Sequence, residues 1–155
     1  MNTSHLTAKK RKKPSAPMRR LSADGRLRGR MLDYGCGKGK DADEYGMESY
    51  DPHYQPKMPD GMFDTITCNF VLNVIEDSRE RRNILSTIKS HLDYGGKAYI
   101  TVRNDRAALK GLNSRGNWQG HIVMNLPVLY RTGGYVTYEL DCTTKVDLAT
   151  QRSLT

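Results

Sequence analysis

The residues whose types and spacing most plainly suggest chemistry are Asp33, Gly35, Gly37 and Gly39, in the run Asp33-Tyr34-Gly35-Cys36-Gly37-Lys38-Gly39. Glycines at alternate positions let a backbone turn sharply and approach a ligand that any side chain would push away. A helix starting just after them would add N–H groups that lack intrahelical partners. Dinucleotide-binding folds use a related Gly-x-Gly-x-x-Gly loop, with an acid at the end of the second strand to hold ribose hydroxyls. Here the spacing is Gly-x-Gly-x-Gly, and an acid precedes the first glycine. Asp51 ends the next extended segment and is the candidate ribose partner. A tight turn between strand and helix would by itself account for the glycines. The ordered conjunction of strand, acid, glycines and second acid argues for a nucleotide-like ligand.

Other chemistry is sparser. Cys36 and Cys68 sit where packing explains them, and no Pro-Cys nucleophile or Asn-Pro-Pro-Tyr segment occurs; Asn69-Phe70-Val71-Leu72 stands where the latter would be. His53 and Tyr54 follow Asp51 and read first as exposed loop residues. Asn73 and Glu76 lie near the place for an acceptor, although Glu76 also suits a helix start. His91 reads as an exposed helix residue. Trp118 and His121 fall in an irregular stretch that could cover an acceptor, with Trp118 also a natural core anchor. The four histidines are scattered without paired spacing, so no metal site is expected, and no catalytic base stands out.

These residues need a scaffold. Met31-Leu32-Asp33-Tyr34 reads as a buried strand that breaks into the glycine turn. Residues 38–45 suit two turns of helix, 47–51 a second short strand, and 52–61, with three prolines, a loop. Phe63 to Val71 is rich in β-branched and aromatic residues and reads as a strand. Asp77 with Glu80 predicts a capping box, and Ile84, Leu85, Ile88 and Leu92 make one apolar stripe of a helix. Gly95-Gly96 reads as the helix terminator, with a strand over Lys97 to Val102. Residues 104–127 show no period. Val128 to Leu140 predicts a hairpin turning at Thr132-Gly133-Gly134. Alternating strands and helices predict an α/β fold with a mainly parallel sheet and a C-terminal antiparallel hairpin.

The chain has 155 residues, 37% hydrophobic and 27% charged, and a formal net charge of +8. Residues 1–30 hold ten basic side chains and one acid, whereas 31–155 hold fifteen basic and sixteen acidic ones. The positive excess is therefore local. Residues 1–25 read as a basic disordered tail, 26–145 as the folded domain and 146–155 as a frayed C-terminus. The run Lys9-Lys10-Arg11-Lys12-Lys13 suits phosphate contact with nucleic acid; a solubilising tail explains it equally well. No apolar stretch reaches the roughly 18 residues of a membrane span, and the N-terminus lacks the apolar core of a secretory signal. Three scattered cysteines suit a reducing cytoplasm.

With these residues in place, Leu32 to Gly39 resembles the first motif of class I S-adenosylmethionine-dependent methyltransferases. Phe63 to Asp77 is similar to the fourth-strand motif of that family. Asp33 to Gly37, Tyr50-Asp51-Pro52 and Leu72-Asn73-Val74-Ile75-Glu76-Asp77 together resemble the methyltransferases associated with DNA phosphorothioation. The likeness covers about residues 31–103 and implies a minimal Rossmann-like methyltransferase fold with S-adenosyl-L-methionine as cofactor. It implies that Gly35, Gly37 and Gly39, with Tyr34 and Cys36 in the same loop, line the methionine part. Asp33 would anchor the amino group, Asp51 beside Pro52 would take the ribose hydroxyls, and Asn69 and Phe70 would border the transferable methyl group. The chain departs from the pattern after Asp51, where a third strand and its adenine-binding acid have no clear counterpart. That leaves room for a completing partner or oligomer, and for two rival readings: an enzyme that cleaves S-adenosylmethionine, or a non-catalytic binding module.

Overall fold

The computed structural model describes residues 13–105, 111–112 and 117–146, with 151–154 by backbone alone. The apolar run before the glycines forms β1 (Met31–Tyr34), and α2 (Lys40–Tyr45) follows, after α1 (Ala16–Ala23) earlier in the chain. Then come β2 (Glu48–Tyr50), β3 (Phe63–Asn69), α3 (Ser78–Ser90) and β4 (Leu92–Arg103). The chain continues through β5 (His121–Met124), β6 (Val128–Arg131), β7 (Tyr135–Leu140) and β8 (Gln151–Leu154). Six strands make one sheet in the order β2-β1-β3-β4-β7-β6. The first four are parallel, and β7 and β6 run antiparallel to them. This is the α/β arrangement, mainly parallel with an antiparallel C-terminal hairpin, that the alternation of elements predicts.

Alternation along the strands sends side chains to two faces. Leu32, Ile66, Cys68, Ile100 and Val102 face Leu85 and Ile88 of α3, all within the larger core. Met18 and Leu21 of α1 pack in a second core with Ala42, Met47, Tyr99 and Tyr130. Asp33, Thr67, Thr101 and Thr137 are buried polar residues, each 3% exposed or less. They satisfy one another in pairs, Thr67 with Asp33 at 2.9 Å and Thr101 with Thr137 at 2.8 Å.

Helix α1 corrects the reading of residues 1–25 as a tail. An eight-residue helix is not stable alone, but Met18 and Leu21 are fully buried, each worth about 1.5–3 kcal/mol. Pro17 opens its first turn, where a missing N–H costs nothing. Ser15, the residue before the helix, sends its backbone N–H and its hydroxyl to the Asp41 carboxylate at 2.9 and 2.8 Å. Of the basic run, Lys9 to Lys12 lie outside the described residues.

Three further differences have local causes. Helix α3 stops at Ser90, and Gly95-Gly96 belong to β4 instead. Phe63 pairs with Leu92, and Thr65 with Lys97, so the intervening residues bulge. Gly96 is needed there because a Cβ would come within 2.8 Å of the Phe63 carbonyl oxygen. Asp77 caps α3 through the Arg79 N–H, two residues on. Within 146–155, read as frayed, Gln151–Leu154 pairs antiparallel with β5. Between β2 and β3 the chain forms turns and no strand, so the edge of the sheet is the three-residue β2.

Candidate active site

Strand β1 delivers Asp33 and Tyr34 to the carboxyl end of the sheet, where the chain must turn sharply toward α2. It does so through Gly35, Gly37 and Gly39, with φ of +76°, +57° and +83°. Gly35 is also space-limited, since a Cβ would lie 2.4 Å from the Val71 Cγ2. The loop is fastened to β2. The N–H groups of Gly35 and Cys36 donate to the Tyr50 carbonyl at 2.7 and 3.0 Å. The Gly37 N–H donates to Asp51 Oδ2 at 2.9 Å, and the Gly39 N–H to the Cys36 carbonyl.

Four amides of the loop, those of Gly35, Cys36, Gly37 and Gly39, are thus consumed within the protein. Lys38 in the loop is exposed, and the buried charged groups at the site are acids. Asp33 is 3% exposed, and burial lifts its carboxyl to about 7, against the Thr67 hydroxyl that favours ionisation and with the help of Asp41 and Asp51. Asp51 is 7% exposed and accepts three backbone N–H groups, from Gly37, His53 and Tyr54. A carboxylate has about four acceptor positions, so Asp51 keeps one for a ligand. A glycine loop set beside two buried carboxylates suits a cationic ligand.

The other candidates fall into place unevenly. Tyr34 is in the larger core, with its ring 4.9 Å from that of Tyr50. The Cys36 thiol is pushed up to about 12 by burial and by Asp33 and Asp51, which leaves it inert as a nucleophile. Cys68 is buried and pushed further in the same direction. Pro52 and His53 are exposed, and the turn uses the His53 backbone N–H. Asn69 ends β3, and both polar atoms of its amide are buried without a hydrogen-bond partner among the described residues. Phe70 follows with φ +60°, the one non-glycine residue of positive φ among those described. Strain of that kind concentrates at functional positions. His91, read from sequence as exposed, is half-buried with Nδ1 2.8 Å from the Thr87 carbonyl.

Sequence reasoning passed over one buried cation and one polar pair. Arg81 is 2% exposed, with its guanidinium donating to the Ile75 and Glu76 carbonyls. Only its position one turn before Leu85, on the buried side of α3, could have signalled this. Asn73 donates from Nδ2 to Gln119 Oε1 at 3.2 Å, across 46 residues of sequence. Among the described residues no group of His, Cys, Asp and Glu could hold a metal, and no helix is long and apolar enough to cross a membrane.

A family model described as a methyltransferase domain matches residues 6–155. The chain belongs to this methyltransferase-domain family. The methyltransferase resembles several solved structures. A complex of DhpI with SAH aligns at a TM-score of 0.50 and 16% identity, over 80% of this chain and 82% of that one. A DhpI-SAM-HEP complex aligns at 0.51 and 14%, over 80% and 84%. The N-methyltransferase NodS from Bradyrhizobium japonicum WM9, bound to S-adenosyl-l-homocysteine, aligns at 0.50 and 12%, over 79% and 82%. At these identities the likeness is one of fold, and it makes the methyltransferase sheet Rossmann-like. No curated protein matches the sequence.

Proposed function

We propose that the chain transfers a methyl group from S-adenosylmethionine, and that the acceptor is a nucleic acid. The observation that carries the cofactor is the pair of buried carboxylates, Asp33 and Asp51, set beside the glycine loop. That environment favours a ligand bearing ammonium and sulfonium charges. The amide of Asn69, at the end of β3 and without a partner among the described residues, fits the same picture, because buried polar atoms are almost always paired. The fold neighbours that carry SAM or SAH support it as well.

Bound S-adenosylmethionine supplies a methyl group activated by its sulfonium. The chain's own part is to bind and align. Asp33 holds positive charge at the end of β1, and Asp51 presents its remaining acceptor position. The strained Phe70 turns the chain away from the end of β3. Methyl transfer to a good nucleophile depends mainly on proximity and alignment, so the lack of an obvious base is no obstacle. The nucleic-acid acceptor rests on the basic run Lys9–Lys13 and on the resemblance of the Asp33, Tyr50 and Leu72 motifs to phosphorothioation-associated methyltransferases.

Two experiments test the reading. Calorimetry with S-adenosylmethionine should show binding that Asp51→Ala abolishes; no binding to the full chain overturns it. A radiolabelled transfer assay against pooled DNA, RNA, protein and small molecules should label nucleic acid and release S-adenosylhomocysteine. Methylthioadenosine without label transfer would instead indicate cleavage of the cofactor. If the basic run holds phosphates, replacing its five cations should flatten the dependence of log affinity on log salt by about four.

A further inference from the structure

Helix α1 carries a charged surface that the cofactor site does not use. Residues 13–26 hold four cations, Lys13, Arg19, Arg20 and Arg26, and one acid, Asp24. None of the four takes part in an ion pair among the described residues. Asp24 is occupied instead by the Tyr130 hydroxyl. Surface cations are often no more than a solvated face, but these are held in place. Met18 and Leu21 anchor the helix in the second core. Arg20 lies over the Tyr130 ring at 4.0 Å, and Arg26 lies against Tyr99 and the same Tyr130. Side chains ordered beforehand lose less entropy on binding.

One contact sets this surface relative to the glycine loop. Ser15 donates its N–H and its hydroxyl to Asp41. Asp41 is in the first turn of α2, two residues past Gly39, and close enough to raise the Asp33 carboxyl. Lys13 is two residues before Ser15, so at most about 7 Å of chain separates them. Beyond the other end of α1, the Arg28 carbonyl accepts from the Thr65 hydroxyl near the start of β3. The positive surface therefore begins beside the glycine loop and follows α1 toward the opposite end of the sheet. The helix itself spans about 12 Å, at 1.5 Å per residue. Asp43 and Glu44 of α2 are exposed acids, so a polyanion follows α1 and not α2.

The outward side of α1 selects among polyanions. Its exposed residues are Ala16, Arg19, Arg20, Ser22 and Ala23. None is a large apolar side chain, whereas a helix on a membrane surface needs an apolar face free to enter lipid. None is aromatic, so the bases of a single strand have nothing to stack on. Cations alone suit the phosphates of a duplex, held without reading its sequence. We infer that Lys13, Arg19, Arg20 and Arg26 form a phosphate-contact surface that seats duplex nucleic acid along α1, beside the glycine loop. The inference deepens the nucleic-acid reading above and rests on it, adding a folded element to the basic run before it.

The test uses the full chain, labelled with ¹⁵N, and a short DNA duplex of mixed sequence. Arg19→Gln with Arg20→Gln, the run Lys9–Lys13 left intact, should flatten the dependence of log affinity on log salt by about two. Binding at 0.1 M salt should weaken by about sixtyfold. Arg19→Lys with Arg20→Lys should keep both slope and affinity close to the parent's. The Nε–H signals of Arg19 and Arg20 and the amide signal of Lys13 should shift as duplex is added. If the double glutamine variant does not fold, Arg19→Gln alone should flatten the slope by about one; that side chain makes no hydrogen bond or ion pair among the described residues. Duplex binding with an unchanged slope in the glutamine variants, or with these signals unmoved, would overturn the inference and leave the nucleic-acid reading standing. So would tighter binding to a single strand, or arginine-dependent binding to phosphatidylserine vesicles in place of duplex. A parent chain that binds neither duplex nor single strand at low salt would overturn the nucleic-acid reading, and this one with it.

Discussion

Replacing Asp33 with Asn should make the protein more stable at pH 8 and weaken its hold on the cofactor. Burial lifts the Asp33 carboxyl from its ordinary 3.8 to about 7, and that difference sets an upper bound of about 4 kcal/mol on the cost of ionising it in the folded state. The folded protein therefore binds the proton more tightly than the unfolded chain between about pH 4 and 7, and stability falls as pH rises through that window. Asparagine carries no such cost and still offers an oxygen to the Thr67 hydroxyl, the bond that Asp33 accepts at 2.9 Å. Relaxation around the charge reduces the gain, so about 2 kcal/mol is expected at pH 8, or roughly 4–8 °C in Tm for a chain of this size. The gain should shrink toward zero near pH 4. Cofactor binding gives the second readout. A cationic ligand beside Asp33 favours its ionised form, so binding near pH 7 should release about half a proton, seen by calorimetry in buffers of different ionisation enthalpy. Asp33→Asn should remove that release and lower the affinity. A variant less stable than the parent at pH 8, or binding with the same affinity and the same proton release, would refute the reasoning.

Gly35→Ala should destabilise the protein by about 2–4 kcal/mol, since it adds a strained positive φ and a clash with Val71; in thermal melts Val71→Ala in the same chain should restore only the part due to the clash. Asp51→Asn keeps one oxygen but can set an NH₂ group against the Gly37 N–H that Asp51 Oδ2 accepts at 2.9 Å. Losing that bond should weaken S-adenosylmethionine binding by about ten- to a hundredfold in calorimetry. Tyr130→Phe removes the hydroxyl that donates to the Asp24 carboxylate and should cost about 1.5–3 kcal/mol in urea melts, with the affinity of the folded fraction for S-adenosylhomocysteine unchanged.

The parallel half of the sheet could be read from the sequence because its signals are local. Leu32 beside Asp33 and the glycines mark one strand end, and Phe63 to Asn69 carries the β-branched residues of the next. The hairpin over Val128 to Leu140 announces itself through Gly133-Gly134. What could not be read depends on contacts distant in sequence. Met18 and Leu21 look like isolated apolar residues in a basic stretch until Tyr99 and Tyr130 cover them. Gly95-Gly96 after an amphipathic helix suits a helix stop and a strand bulge equally, and the pairing of Leu92 with Phe63 decides for the bulge. Arg81 looks like a solvent-facing cation, and only the fold brings the Ile75 and Glu76 carbonyls to it. In the site, the glycine loop and Asp51 could be named from spacing. That four of the loop's amides are already engaged could not, because the Tyr50 carbonyl that takes two of them follows only from the register of β1 against β2.

The clasp between α1 and the hairpin sets an order of events during synthesis. Asp24 and Tyr130 are 106 residues apart, and Arg20 stacks on the same Tyr130 ring at 4.0 Å. Helix α1 leaves the ribosome before the hairpin does, but it is too short to persist on its own. It waits for β6, which emerges several seconds later at about 5–20 residues per second. Through Ser15 and Asp41 the same helix is fastened to α2, directly behind the glycine loop. A nascent chain stopped after β4 therefore holds every residue of the cofactor loop without the brace behind it, and tight cofactor capture marks a chain whose hairpin has been made.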